Sequence, residues 1–303
     1  MKLTFYKNYV IIKDPVYGSF KITEPVLIAL LKSKVILRLK EIRQQGLPKE
    51  WHYGIEFSRY EHSVGVLLLL EKLNAPLKEK IAGLLHDASH MAFSHLYDYL
   101  LENQEEAHGD NIFYDFLKKD KEIIKIFKKY KISLEEISDF KNYPLLERDA
   151  PDLCADRLDY TFREFYYYKK DKNTLERMVN DLIVVENEII FKTKKSALNF
   201  YKNYKYFAEN HWGGKLHMYK YNLFISLLKK ALSEKIISLR DFYKTDDYII
   251  KKIKKFKDPL VSFTIIKLKN KNLKVPEDYS AFSGKKRFVN PKYLSKGQVK
   301  KVI

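Results

Sequence analysis

A single cysteine, Cys154, stands in a chain of 303 residues. One thiol can neither close a disulfide framework nor build a cysteine-based zinc cluster, and such scarcity suits a reducing compartment. Long apolar runs are missing too. The longest, Val64–Leu70 with Gly65 inside it, is far short of the ~20 residues a membrane span needs. The opening MKLTFYKNYVIIKDP has no apolar stretch followed by a small-residue cleavage site. A cytoplasmic protein with no membrane segment is therefore expected. Repeats and linkers rich in proline and glycine are also absent.

What is abundant is lysine. The chain has 57 Lys+Arg against 39 Asp+Glu, a net charge of +18. A positive field attracts anions, so nucleotides and nucleic acid are candidate partners. The lysines are spread along the whole chain rather than gathered in a stripe, which reads first as a compositional bias. Hydrophobic residues make up 46 %, enough for a sizeable core.

The pattern along the chain is mainly helical. Residues 3–23 read as a β-hairpin turning at DPVYG. Helical spacing follows over 24–33, 35–45, 59–73, 77–88, 93–101, 105–119, 133–142 and 150–168. DLIVV and EIIFK flank a turn at Glu186-Asn187 and form a second hairpin. Helices are again expected over 196–210, 216–233, 237–243 and 247–256. The basic tail from 271 to 303 is weakly patterned and expected to be flexible. The division implied is an N-terminal hairpin (1–23), a helical core (24–170), a helical part with a hairpin (171–270) and that tail.

Histidines carry the chemistry. Five of the eight fall between His62 and His108, far more than an even spread would place there. A core accepts few imidazoles without partners. RYEHSVGV places His62 near the start of an apolar helix, and AGLLHDASH sets His86 beside Asp87 at the end of the next. Neighbours on a helix point about 100° apart, so both reach one ion only from a groove at a helix end. CADRLDY adds Asp156. Two imidazoles with two carboxylates suit Mn, Mg, Fe, Ni or Zn alike.

The order HS…HD…D, with DPVYG, RLKEIRQQG, GLLHDASHMAFSHLYDYL and ADRLDYTFRE, resembles the HD-domain phosphohydrolase superfamily. Within it the chain is similar to the branch of the SAM- and HD-domain dNTP triphosphohydrolase and bacterial dGTPase-like proteins. The resemblance runs from about residue 12 to 260. It implies an HD-domain helical core with two small β-hairpins, and a divalent metal held by His62, His86, Asp87 and Asp156. It also implies an inner acid–base group of His90, His95, Asp98 and His108. Phosphate would be gripped by Arg59 and Arg157, and the sugar met by Tyr160, Glu164 and Gln44. A homo-oligomer is expected by analogy, with the region near Phe282–Val302 as a candidate contact.

Departures from that branch are informative. Gln45 stands where an apolar residue packs on the deoxyribose, Glu164 replaces an aspartate, Cys154 is often Asp, and Ser89 is usually Gly. Lys32, Leu37 and Lys40 occupy positions that in regulated members bind an activating nucleotide, so that control site is expected to be absent or altered. The expected activity is hydrolysis of a nucleotide phosphate, foremost a (d)NTP triphosphohydrolase releasing triphosphate. The alternatives are a phosphodiesterase or nuclease with the same centre, or a non-catalytic nucleotide- or nucleic-acid-binding regulator. Base and sugar preference stay open.

Overall fold

The computed structural model describes residues 1–51, 57–102, 106–279 and 286–303. The expected helix start at Glu105 and the contact residue Phe282 lie outside the described residues. Three antiparallel strands open the chain: β1 (Lys2–Phe5), β2 (Val10–Asp14) and β3 (Gly18–Ile22), with β2 central. The expected hairpin thus gains a strand, because Lys2–Phe5 pairs along Val10–Lys13. In β2, Val10, Ile12 and Asp14 face inward. Asp14 Oδ1 accepts the amides of Val16 and Tyr17 at 2.9 and 3.1 Å. That side-chain turn makes the DPVYG corner.

Helices α1 (Pro25–Leu31) and α2 (Lys34–Arg38) follow. The helix expected through residue 45 stops early. One 3₁₀ turn, Leu39–Glu41, ends it, and Arg43 then bridges to Ser58. The reason is tertiary: Asp246 takes the Arg43 amide at 2.9 Å and the Phe57 carbonyl takes that of Gln44 at 3.0 Å. Gly46 has φ +66, and a Cβ there would lie 2.4 Å from the Phe93 carbonyl oxygen, so only glycine lets these segments meet.

The core helices are α3 (Arg59–Lys72), α4 (Leu77–Leu85), α5 (His95–Leu100), α6 (His108–Lys119), α7 (Lys121–Tyr130), α8 (Leu134–Ser138), α9 (Ala155–Lys169) and α10 (Lys172–Asn180). α3 is buried along most of its length, which is what RYEHSVGVLLLL encodes. A capping box starts it: Ser58 Oγ accepts the Glu61 amide at 3.2 Å and Glu61 Oε2 accepts the Ser58 amide at 3.0 Å. β4 (Leu182–Val185) and β5 (Glu188–Phe191) form the distal hairpin. Next come α11 (Lys194–Phe207), running into a π-turn at Ala208–Trp212, then α12 (Lys215–Ser233), α13 (Asp246–Lys255) and α14 (Pro259–Lys269). No helix was expected at α14, where Asp258 caps and Pro259 begins the first turn.

The tail is more ordered than its composition implied. β6 (Lys292–Ser295) and β7 (Gln298–Lys301) form a hairpin, and β6 pairs in parallel with β5 through Phe191 and Tyr293. Strand pairing with a hairpin far upstream leaves no mark in local sequence. The mainly α fold with small β elements is as expected. Two apolar cores form it. One centres on α3, α4 and α9, the other on the 91–100 segment, α12 and α13. His62 and Asp87 border the first and His95 the second. No helix of the described residues is long and apolar enough to cross a membrane.

Candidate metal centre

Three helix ends converge at the seam between the cores. His62 lies one turn into α3, His86 terminates α4 with Asp87 directly after it, and Asp156 sits in the first turn of α9. The helix thus ends before His86, earlier than residue 88, and this frees His86 and Asp87 to turn toward one point. His62 Nε2 is 3.2 Å from His86 Nε2 and 2.9 Å from Asp156 Oδ1. His86 Nε2 is 3.5 Å from both Asp87 Oδ1 and Asp156 Oδ1, and Asp87 Oδ2 is 3.7 Å from His62 Nε2. Adjacent donors around an ion with bonds near 2.1 Å stand about 3.0 Å apart, so His62, His86 and Asp87 can share one cation, with Asp156 Oδ1 against both imidazoles. Asp87 Oδ2 is buried without a hydrogen-bond partner, a gap that a cation would fill.

The remaining ring nitrogens are already engaged. His62 Nδ1 is 2.7 Å from Asp159 Oδ2, and His86 Nδ1 is 2.7 Å from the Gly83 carbonyl. Those acceptors assign the proton to Nδ1 in each ring and leave both Nε2 lone pairs facing the centre. Asp159 in turn accepts from Arg163 Nε at 2.8 Å, and Arg163 Nη2 reaches Asp14 Oδ2 at 3.1 Å. The β2 corner is therefore joined to a metal-facing histidine through a fully buried ion triad. At Gly65 a Cβ would lie 2.0 Å from Arg163 Nη2 and Asp159 Oδ1, so α3 must offer bare backbone there.

Electrostatics favour a cation at this point. Burial opposes charge on His62 and His86, yet the carboxylates outweigh it: His62 is raised and His86 is pushed up to about 10. Burial likewise opposes charge on Asp156, but His62 and His86 pull it below the usual carboxylate range. The site holds positive charge as protons when it holds none as metal.

Around the centre lies a polar cavity of about 210 Å³. Its wall includes Arg59, His86, Asp87, His90, His95, Asp156, Arg157, Tyr160 and Gln44. Arg59 is buried and spends two groups on protein, Nη1 on Asp87 Oδ1 at 2.7 Å and Nε on Ser94 Oγ at 2.7 Å. Its Nη2 has no partner. Arg157 is tied to the Asp152 and Arg148 carbonyls at 2.6 and 3.1 Å. His90 Nε2 is 3.2 Å from Asp87 Oδ1. Burial and Arg59 push His90 down to about 4, so it is neutral. His95 Nδ1 is 3.5 Å from Asp98 Oδ2.

Two expected site residues stand apart. His108 is not in the wall of the metal cavity; its amide donates to Asp98 Oδ1 at 2.9 Å and its ring meets Tyr97 edge-on at 5.2 Å. Glu164 is fully buried, with Oε1 2.5 Å from His211 Nδ1 and Oε2 accepting Gln45 Nε2 at 3.3 Å. The extra methylene of glutamate takes the carboxylate to the π-turn instead of to the cavity. Tyr160 and Gln44 instead line both the metal cavity and a second one, whose wall also holds Gln45, Tyr99, Trp212, His217, Met218 and Tyr221. The unusual Ser89 ties the turn to α6, its Oγ donating to the Gly109 carbonyl at 2.9 Å.

Sequence reasoning passed over Glu106, Asp110, Glu147 and Arg287, all in the cavity wall. Arginine is scarce in this lysine-rich chain, a signal that could have drawn notice to Arg287. For the three acids no local signal existed. Asp159 was printed inside ADRLDY, one helical turn beyond Asp156, and was read only as part of the motif.

With HD adjacent at the end of one buried helix and its partners on two others, the segment 59–164 matches the HD domain model, and the chain belongs to the HD domain family. It is 38 % identical to YdhJ of Bacillus subtilis over 246 residues, 79 % of this chain and 74 % of that protein. The metal-dependent phosphohydrolase cns2 of Cordyceps militaris is 36 % identical over 163 residues, 54 % of this chain but only 47 % of that one. The deoxynucleoside triphosphate triphosphohydrolase SAMHD1 of Bos taurus is 33 % identical over 103 residues, 29 % of this chain and 17 % of its own. A phosphohydrolase of Bacteroides thetaiotaomicron shares the fold, with a TM-score of 0.67 at 20 % identity over 85 % of this chain and 75 % of that one.

Proposed function

We propose that the chain is a metal-dependent phosphohydrolase acting on nucleotides, foremost a (d)NTP triphosphohydrolase that releases triphosphate. The observation that carries the reading is the cluster of His62, His86 and Asp87, with Asp156 Oδ1 against both imidazoles, beside a polar cavity that shares walls with a second, aromatic-lined one. The first suits phosphates and the second a base and sugar. Kinship to cns2 and, over a shorter stretch, to SAMHD1 supports the same class.

His62, His86, Asp87 and Asp156 would hold a divalent ion, which when bound would neutralise charge at phosphorus and acidify a water. The protein's own groups do the rest. His95, with Nδ1 3.5 Å from Asp98 Oδ2, faces both cavities and donates a proton to the departing 5′ oxygen. Neutral His90 steadies Asp87, and Arg59 offers its unpartnered Nη2 to a phosphate oxygen. Tyr160 and Gln44 face the sugar at the junction.

The test is a panel of dNTPs, NTPs, cyclic dinucleotides and single-stranded DNA, each with Mn²⁺ or Mg²⁺ and with products resolved by ion exchange. Inorganic triphosphate with nucleoside is the expected outcome. Monophosphates or shortened oligomers would instead identify a phosphodiesterase or nuclease.

A further inference from the structure

Arg287 belongs to the C-terminal tail, well outside the segment 59–164 that defines the family. It nevertheless lines both cavities, in company with Gln44, His95, Glu106 and Tyr160. We propose that Arg287 anchors the substrate's phosphate chain where the two cavities join, carried there by the tail as a fixed strap. This deepens the phosphohydrolase reading and rests on it.

Three observations lead here. The first is placement. The tail is held next to the metal cavity by residues just after Arg287. The Asn290 amide donates to the Pro151 carbonyl at 2.9 Å, Val289 is buried, and Lys292 reaches Glu188 at 2.6 Å and Asp152 at 3.1 Å. The loop it grips is the one whose carbonyls hold Arg157, next to the Asp156 ligand. Arg287 therefore stands in fixed relation to the centre, two residues before a buried anchor.

The second is chemistry. The arginines expected to bind phosphate are mostly engaged elsewhere, Arg59 on Asp87 and Ser94, Arg157 on two backbone carbonyls. Arg287 pairs through Nη2 with the carboxylate of Glu106, which also lies in the cavity wall. A phosphate can take over from a carboxylate on the same planar fork. Lys286 beside it adds a second positive charge to the wall.

The third is the counter-ion itself. Glu106 is a non-glycine residue in the left-handed region, φ 55, and its Oε1 accepts the Tyr99 hydroxyl at 2.5 Å. Its Oε2 is also 3.9 Å from His95 Nδ1. A strained acid held at the junction of two cavities marks a functional position rather than an incidental surface pair. It keeps a half-buried guanidinium compensated until an anion arrives.

The experiment uses the full chain with Mn²⁺ in excess, and inorganic tripolyphosphate as the probe in titration calorimetry. Kinetics on whichever nucleotide the wild type hydrolyses run alongside. Arg287→Ala should weaken the probe and raise KM by about 10- to 100-fold, the loss of one bidentate charged contact. Metal content and kcat should stay near wild type while KM rises, a split that a merely structural role would not produce. Arg287→Lys should recover part of the affinity, and Glu106→Gln should tighten the probe by removing its competitor. Probe affinity within twofold of wild type for Arg287→Ala overturns the proposal. If that variant does not fold, wild-type affinity in both Arg287→Lys and Glu106→Gln does so. A wild type that hydrolyses no nucleotide defeats the proposed function, while the tripolyphosphate titration still decides the role of Arg287.

Discussion

His62 and Asp159 share a buried hydrogen bond of 2.7 Å, one residue on α3 and the other on α9. The bond fixes which nitrogen of His62 faces the centre. Arg163 and Asp14 then hold Asp159 from behind, so the metal-facing ring is oriented by a chain of contacts that begins in the N-terminal sheet.

Asp159→Asn should accordingly lower metal affinity by about 10- to 100-fold without touching a ligand, the usual cost of losing an outer partner of a metal histidine. Metal content after dialysis against graded chelator reads it directly. Asp14→Asn, one step further back, should produce a smaller shift of the same sign. Wild-type metal retention in Asp159→Asn would sink the link.

Asp87 and Asp156 are both proposed ligands, yet their removal should differ. Each alanine variant should lose bound metal and turnover. Asp87 also compensates buried Arg59 at 2.7 Å, with both side chains almost wholly enclosed. Asp87→Ala leaves that guanidinium unpaired and should cost about 3–5 kcal/mol of stability. Asp156, with its side chain 24 % exposed, should cost far less. Denaturant titration of the two metal-free variants separates the effects.

How much of this was legible beforehand depends on how local each signal is. The ligands sit in compact strings whose spacing survives without knowledge of the fold, so EHS, HD and ADRLDY could be read directly. DPVYG was legible as a turn, but its aspartate reaches the metal centre only through Arg163, a contact between distant segments. Glu164 was placed at the sugar by the family resemblance, in which an acid one helical turn beyond the tyrosine meets the sugar. The presence of His211 on the π-turn, not spacing, decides where its carboxylate goes. Arg287 and the four-stranded sheet depend on strand pairing across a hundred residues of helix, which composition reads only as a basic tail.

Asp246 gives a pH dependence away from the metal. It is fully enclosed and accepts the amides of Arg43 and Phe93 at 2.9 and 2.7 Å, tying the two segments that flank the cavity. Burial, opposed by those amides and Arg43, pushes its carboxyl up to about 6. A folded value above the unfolded one means the folded state binds the extra proton, so stability from this group is present below pH 4 and is lost as pH rises toward 6. That rise corresponds to about 3 kcal/mol. The difference in unfolding free energy between wild type and Asp246→Asn, measured from pH 4 to 7, should follow that curve; a flat difference would refute it.

His95 and His108 were grouped together by sequence, and the structure separates them. His95 faces both cavities and lies 3.5 Å from Asp98, while His108 rests its ring on Tyr97 and gives Asp98 only its backbone amide. A proton donor must reach the leaving oxygen, so the loss should fall on one of them. His95→Ala should reduce kcat by about 10²–10⁴-fold with metal content intact. His108→Ala keeps the backbone amide on Asp98 and should stay within about tenfold of wild type, since the removed ring touches neither cavity. Single-turnover rates at saturating substrate are the right measurement, because they report the chemical step apart from product release. Equal losses in the two variants would mean that the α6 end closes over the substrate and brings His108 in, and the assignment of the proton to His95 alone would fall.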